Sequence, residues 1–206
     1  MRLFLSFLLT LLLSPLALAD DAAQRLGVRL DGLKSLRAEF VQSVIDESGK
    51  VLQTSQGKLA VKRGNRLRWE THSPFAYLIV TDGNVLWRYD QDLEQATRQK
   101  FSGELADTPA LILSGDMARI RANYTITREQ GSAGEYFNLV PRKEGSLFRS
   151  LTLHFAGNSI DQLVLLDNLE QRTEIRFNSV ISNPSLDDKL FNFVPPQGID
   201  VIDDES

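Results

Sequence analysis

Hydrophobic positions along the chain recur with two different periods. From Asp21 to about Arg37, Leu26, Leu30 and Leu33 fall at i, i+4 and i+7, with Arg25, Arg29 and Lys34 on other faces. That spacing predicts an amphipathic helix. Beyond it the period drops to two. Leu59 and Val61, then Leu67 and Trp69, then Tyr77 and Ile79, then Val85, Trp87 and Tyr89 alternate with residues of another kind. These runs predict strands with one buried face each. Asp82-Gly83-Asn84, whose glycine readily takes positive φ, is expected to close the last two runs as a hairpin. A second strand block follows Tyr124: Tyr136 to Val140, then Leu151, Leu153 and Phe155, then Leu163 to Leu166, and Glu174 to Val180 after a turn near Asp167-Asn168. Phe191, Phe193 and the Pro195-Pro196 pair predict a last extended segment.

A short helical insertion separates the blocks. Thr108 is placed to cap it, Pro109 to occupy its first position and Gly115 to end it. Ala110, Leu111, Ile112 and Leu113 inside it are apolar all round, so the segment must press on apolar neighbours on more than one side. No linker, fixed-period repeat or low-complexity stretch divides the chain. The expectation is a single α+β domain, an antiparallel, mostly meandering sheet with its helices on one face. A sheet of so many strands coils, and coiling makes one face concave.

Side-chain alternation assigns Leu59, Val61, Leu67, Trp69, Tyr77, Ile79, Val85, Trp87 and Tyr89 to that inner face. The alternate set, Lys58, Lys62, Arg66, Arg68, Glu70, Arg88 and Asp90, goes to the outer one. A large aromatic inner face is either a core filled by helices or the wall of a binding cavity, and parity alone does not separate the two. Arg63 shares the parity of Leu59 and Val61. A guanidinium at the end of an apolar row must find water, a carboxylate or backbone carbonyls. Either its five donors hold the orphan carbonyls at a helix C-terminus or loop, latching a helix over the concavity, or a bulge turns it to solvent.

The N-terminus adds an address. Met1-Arg2, an apolar run from Leu3 to Leu13 interrupted only by Ser6 and Thr10, the break at Ser14-Pro15 and then Ala17-Leu18-Ala19 follow the layout of a secretory leader. Cleavage after Ala19 is expected to leave a domain of residues 20–206; the run is too short for the ~20 residues of a membrane span. The 206 residues include no cysteine, which removes disulfides, thiolate metal sites, a Cys nucleophile and an N-terminal Cys for lipidation. The net charge of −4 becomes −5 without Arg2 (22 basic against 27 acidic residues), which disfavours nucleic acid as a partner.

Enzyme motifs are lacking. His72 and His154 lie on the polar alternation of different strand blocks and read as surface histidines. No Gly-x-Ser-x-Gly elbow, phosphate loop or His-Glu-x-x-His pattern occurs, and Asp82, Asp90 and Asp92 lack the spacing of a calcium loop. No cofactor or metal is implied.

The ordered fragments resemble the periplasmic outer-membrane lipoprotein carrier (LolA) family along nearly the whole mature length. They are Phe40-x-Gln42, Gly57-x-Leu59, Lys62-Arg63, Arg68-Trp69-Glu70 with Pro74, Ile79-Val80-Thr81-Asp82-Gly83, and Leu86-Trp87-x-Tyr89-Asp90. Leu93-x-Gln95-x-Thr97, Thr108-Pro109-Ala110-Leu111, Phe137-x-Leu139-x-Pro141 and Phe191-x-Phe193-x-Pro195-Pro196-x-Gly198-Ile199-Asp200-Val201 continue the series. The resemblance implies an unclosed antiparallel half-barrel whose concave apolar face is covered by helices. It implies a non-enzymatic periplasmic carrier, most simply a monomer. Such a carrier takes triacylated lipoproteins from an inner-membrane ATP-binding-cassette exporter and hands them to an outer-membrane receptor lipoprotein of the LolB type.

The implied acyl cavity comprises Phe40, Leu59, Val61, Leu67, Trp69, Tyr77, Ile79, Trp87 and Tyr89, with Leu111, Ile112 and Leu113 as part of the lid. Arg63 takes the place of the family arginine that bonds lid backbone and holds the closed form. Gly64 stands where the family has proline, which loosens the backbone beside it. The alternative function is a periplasmic scaffold that senses lipid or misfolded polypeptide with the same half-barrel; a hydrolase has little support.

Overall fold

A computed structural model describes residues 15–101 and 109–204, with side chains from Asp21 onward. The expected cap Thr108 and most of the expected leader lie outside the described residues. Helix α1 spans Pro15–Asp31. It stops about six residues before the leucine spacing predicts, because the chain turns at Gly32, whose N–H bonds Val28 O at 3.3 Å. Leu33 keeps the apolar stripe going from the connection, where it is still buried.

Six strands follow as a meander: β1 Ser35–Ile45, β2 Val51–Lys62, β3 Arg66–Ser73, β4 Tyr77–Thr81, β5 Val85–Asp90 and β6 Gln95–Lys100. A 3-10 turn, Pro109–Ser114, and helix α2, Met117–Asn123, make up the insertion. The second block is β7 Tyr124–Gln130, β8 Glu135–Pro141, β9 Phe148–Ala156, β10 Ser159–Asp167 and β11 Arg172–Ser182, and β12 Asp200–Asp204 comes last. All twelve strands join one sheet in the order β12-β6-β5-β4-β3-β2-β1-β11-β10-β9-β8-β7. The blocks meet where β1 pairs antiparallel with β11, and β7 and β12 stand at opposite ends, so the sheet is unclosed. Among the described residues the one parallel pairing is β12 on β6.

The inner face is a continuous core. Leu36, Ala38 and Phe40 of β1, Leu59 and Val61 of β2, Leu67 and Trp69 of β3, and the Phe137, Leu153, Leu163 and Phe177 rows of the second block pack with Leu26 and Leu30 of α1 and with Ala110 to Leu113. The covering segments therefore fill the concavity. At about 1.5–3 kcal/mol per large side chain, Leu111, Ile112 and Leu113 together gain roughly 5–9 kcal/mol from burial.

Helical structure is not confined to the inner side. After β11 the chain crosses the outer face, where Leu186 and Phe191 pack on Ala60 and a short 3-10 turn forms at Asp188–Phe191. Outer-face cations hold it there: Lys62 Nζ donates to Leu186 O at 3.0 Å and pairs with Asp188 at 2.5 Å, and Arg68 Nη1 donates to Leu190 O at 3.4 Å.

This strap accounts for one error of the alternation argument. Trp87 and Tyr89 stand on the outer face, each with its ring centroid 5.4 Å from that of Phe193. Thr81 pairs with Leu86, leaving four residues between them, so odd positions of β4 share a face with even positions of β5. A three-residue loop would have kept the parity. Asp82 prevents it: its Oδ1 accepts from the N–H groups of both Asn84 (2.8 Å) and Val85 (3.0 Å), so the Val85 N–H is taken by the turn and pairing with β4 starts at Leu86. Arg88 and Asp90 accordingly turn to the inner face, and Val85 to the outer.

Candidate functional site

The concave face beside β1 to β4 is where the covering elements leave a gap. Phe40 and Trp69 stack with ring centroids 3.8 Å apart, Phe40 fully buried beneath. Register places Ile79 opposite Trp69 and Tyr77 opposite Thr71, so these side chains extend the same face. They line a cleft of about 350 Å³ with Gln42, Gln53, Ser55, Ile175 and, from the insertion, Pro109 and Ala110. Its walls are mixed, aromatic and aliphatic with amides and hydroxyls, the buried Ser55 among them.

The cleft opens at the end of the sheet where Pro74 and Phe75 turn β3 into β4. Because strand directions alternate, the β5–β6, β8–β9 and β10–β11 connections lie at this same end. Their exposed apolar tips are Leu93, Leu147 and Leu169, beside Phe75. A cleft of this size is at the low end of small-ligand pockets, about 300–1,000 Å³. Anything as large as a triacylated anchor fits only if covering side chains move.

Of the twelve expected cavity residues, Trp69, Tyr77 and Ile79 line the open cleft. Phe40, Leu59, Val61, Leu67, Leu111, Ile112 and Leu113 are sealed in the adjoining core. Trp87 and Tyr89 lie on the other face. Arg63 sits where β2 ends, beside the C-terminus of α1. Its Nε donates to Leu33 O at 3.3 Å and its Nη2 to Leu30 O at 3.3 Å and Asp31 Oδ1 at 2.8 Å. Leu30 O, in the last turn of α1, also accepts the Leu33 N–H at 2.9 Å, Leu33 O lies in the connection that follows, and the Arg63 N–H bonds Lys34 O at 3.0 Å. Arg63 thus engages α1 and the connection after it, not the Pro109–Ser114 turn, among the described residues. Gly64, in the adjoining turn, has φ +85°, a conformation closed to proline.

The histidines divide. His72 is exposed, whereas His154, expected at the surface, is buried on the outer face under Tyr136, with ring centroids 4.3 Å apart. Its Nδ1 lies 3.0 Å from Asp161 Oδ2. Neither ring reaches the cleft.

One cluster escaped the sequence reading. Glu135 lies in the row of Phe137 and Leu139, its side chain only 3% exposed. Arg25 Nε and Nη2 donate to it at 2.8 and 3.1 Å, Arg29 Nε at 2.5 Å and Arg128 Nε at 2.9 Å. These bonds, led by Arg25's and followed by those of Arg29 and Arg128, outweigh burial and hold its pKa down to about 2. A carboxylate at core parity was the available signal.

An unclosed half-barrel whose apolar hollow is filled by covering segments, with a mixed cleft at one rim, defines a protein built to sequester apolar groups. The model of the outer membrane lipoprotein carrier protein LolA matches residues 31–194. An outer-membrane lipoprotein carrier protein from Azotobacter vinelandii is 40% identical over 205 residues, 98% of this chain and 99% of that protein. One from Pseudomonas aeruginosa is 41% identical over 189 residues, 91% of each. The chain belongs to the LolA family of outer-membrane lipoprotein carriers. Among solved structures, an uncharacterised conserved protein from Thermus thermophilus shares the fold at TM-score 0.54 and 14% identity, covering 88% of this chain and 99% of its own. A LolA superfamily protein from Nitrosomonas europaea does so at 0.50 and 12%, covering 84% and 98%.

Proposed function

We propose that this protein is a periplasmic carrier that covers the acyl chains of lipoproteins on their way to the outer membrane. The observation that carries the reading is the apolar concave face, covered in part by the Pro109–Ser114 turn, whose Ala110, Leu111, Ile112 and Leu113 are buried against it. Acyl chains can take the place of Leu111, Ile112 and Leu113 against that face without leaving a polar group unpaired. A buried methylene contributes about 0.8 kcal/mol to membrane anchoring, so three long chains cannot desorb and cross water unaided on a useful timescale. The carrier lowers that barrier by offering a second apolar environment.

In this reading residues 1–19 are removed on export, and residues 20–206 act as one soluble unit without catalysis. The inner-membrane exporter loads it and the outer-membrane receptor unloads it. Family membership and the 40% identity to proteins named as outer-membrane lipoprotein carriers support lipoproteins as cargo. Among the described residues no helix is long and apolar enough to cross a membrane. Arg63 acts as the latch that keeps the C-terminal end of α1 against the sheet.

The test is release. Purified protein is incubated with spheroplasts making a lipidated lipoprotein and, in parallel, its unlipidated cysteine variant. Appearance of the lipidated cargo alone in a soluble complex supports the carrier. Absence of release while soluble acyl ligands still bind supports the sensing scaffold instead.

A further inference from the structure

The two covering elements are held to the sheet by different chemistry, and the difference has a consequence for how the cover moves. Helix α1 is tied by charge at several points. Arg25 and Arg29 both reach the buried Glu135 of β8, and Arg29 Nη1 also donates to Asn158 Oδ1 at 2.8 Å. Near its C-terminus Asn183 Nδ2 donates to Gly32 O at 2.9 Å, beside the bonds from Arg63. The Pro109–Ser114 turn is seated by Ala110, Leu111, Ile112 and Leu113, all buried. Among the described residues a side-chain hydrogen bond ties it to the β2–β3 turn, from Ser114 Oγ to Asn65 Oδ1 at 3.2 Å. Gly115, at φ +83°, follows it.

Incoming acyl chains replace apolar contacts one for another. They offer nothing to a carboxylate or a guanidinium taken out of a buried pair, so pulling α1 from Glu135 would strand charges in an apolar hollow. Glu135 therefore matters to where the cover opens as well as to stability. We propose that Glu135 is a positioning residue that makes α1 a fixed wall of the cavity, so that accommodation of acyl chains falls on residues 109–123. Arg128, on β7, completes the clamp from the sheet side and keeps the carboxylate ionised when α1 fluctuates. The inference rests on the carrier reading for what enters the cavity, but not for the anchoring of α1.

Two measurements test it. Spin labels at cysteines replacing Val28, exposed on α1, and Arg176, exposed on β11, report the distance between helix and sheet. A second pair replaces Arg121, exposed on α2, and Arg176. The chain has no other cysteine to label. With a synthetic triacylated lipopeptide as probe, the α1 distance is expected to stay within 2 Å while the α2 distance shifts or broadens by more than about 5 Å. In Glu135→Gln, which keeps the side-chain shape, the α1 distance is expected to spread on loading too. An α1 shift as large as that of α2 in the unsubstituted cluster overturns the proposal, and so does Glu135→Gln behaving as the parent.

Hydrogen exchange without any ligand provides the independent arm. Amides of Arg25 to Leu30 are expected to exchange at least tenfold more slowly than those of Leu111 to Leu113, with the gap closed in Glu135→Gln. Equal rates in the parent overturn the anchoring. Failure of the lipopeptide to bind sinks the carrier reading, and the exchange arm still decides the anchoring of α1.

Discussion

Removing the guanidinium that caps α1 gives the most informative single substitution. In Arg63→Leu the carbonyls of Leu30 and Leu33 lose donors at 3.3 Å and Asp31 loses its partner at 2.8 Å. Hydrogen bonds from a charged donor contribute about 1.5–3 kcal/mol each, but these are long and the Arg63 side chain is 43% exposed, so about 1 kcal/mol each is appropriate. The ion pair to Asp31, itself 69% exposed, adds well under 1 kcal/mol. The C-terminal end of α1 is then held to the sheet about 2 kcal/mol less tightly, which multiplies the population with that end detached roughly 30-fold. Leucine retains the apolar stem's contacts, and the position lies at the opposite end of β2 from the cleft. Acyl uptake is expected to be preserved or improved and hand-over to a receptor-containing membrane to slow by about an order of magnitude. The assay follows a labelled lipoprotein from the soluble complex into outer-membrane vesicles, after loading has been measured separately. Hand-over at the parental rate would refute the latch, and equal loss of loading and hand-over would point to general misfolding.

Other substitutions probe separate parts of the account. Glu135→Ala leaves three arginines around a vacated site and is expected to cost about 3 kcal/mol, a fall of roughly 10 °C in Tm by calorimetry. In the parent, the Glu135 pKa of about 2 lies below its ordinary value, so the stability it confers is complete above about pH 4.5. That stability is lost as pH falls toward 2. The loss should be roughly 1–2 kcal/mol after screening of the partly exposed Arg25, and urea melts at pH 5 and 2.5 should show it in the parent and not in Glu135→Ala. Gly57→Ala would place a Cβ 1.8 Å from Glu70 O and 2.7 Å from the Phe40 ring, so β2 and β3 must part and about 3 kcal/mol or more of stability should go, measured by denaturant unfolding. Trp87→Phe, on the outer face, should leave acyl binding within twofold of the parent by fluorescent-lipid titration, whereas Trp69→Ala should weaken it severalfold.

Much of the fold was legible because its signals are local. The period-two runs at Leu59–Val61, Leu67–Trp69 and Leu151–Phe155 are core rows, and the all-round apolar Ala110–Leu113 is buried as its composition requires. The limits are equally physical. Whether Trp87 points in or out depends on one residue in a turn, and an aspartate that captures the Val85 N–H reverses every side chain of β5. Sequence alternation sees each strand but not the register between them. The outer face looked solvated because the strap that covers it is distant in sequence, and its Phe193 is what makes an aromatic row there affordable. Arg63 was visible as a cation at core parity, and Glu135 and Arg128 carried the same signal in the second block. What parity cannot supply is the partner, since Arg25 and Arg29 read as the polar side of a helix until β8 is placed against them.

In the proposed carrier acyl chains enter the concave face beside Trp69, and the two tryptophans, one on each face, allow a direct measurement. In Trp87→Phe the remaining indole reports from the cleft; in Trp69→Phe the remaining indole reports from beneath the C-terminal strap. Each variant is titrated with a triacylated lipopeptide brominated along its chains, whose heavy atoms quench fluorescence only at contact distance. Strong, saturable quenching of Trp69 and none of Trp87 is expected, abolished by competition with the unbrominated lipopeptide. Quenching of Trp87 with Trp69 unaffected would place the chains on the wrong face and contradict the proposed entry beside Trp69.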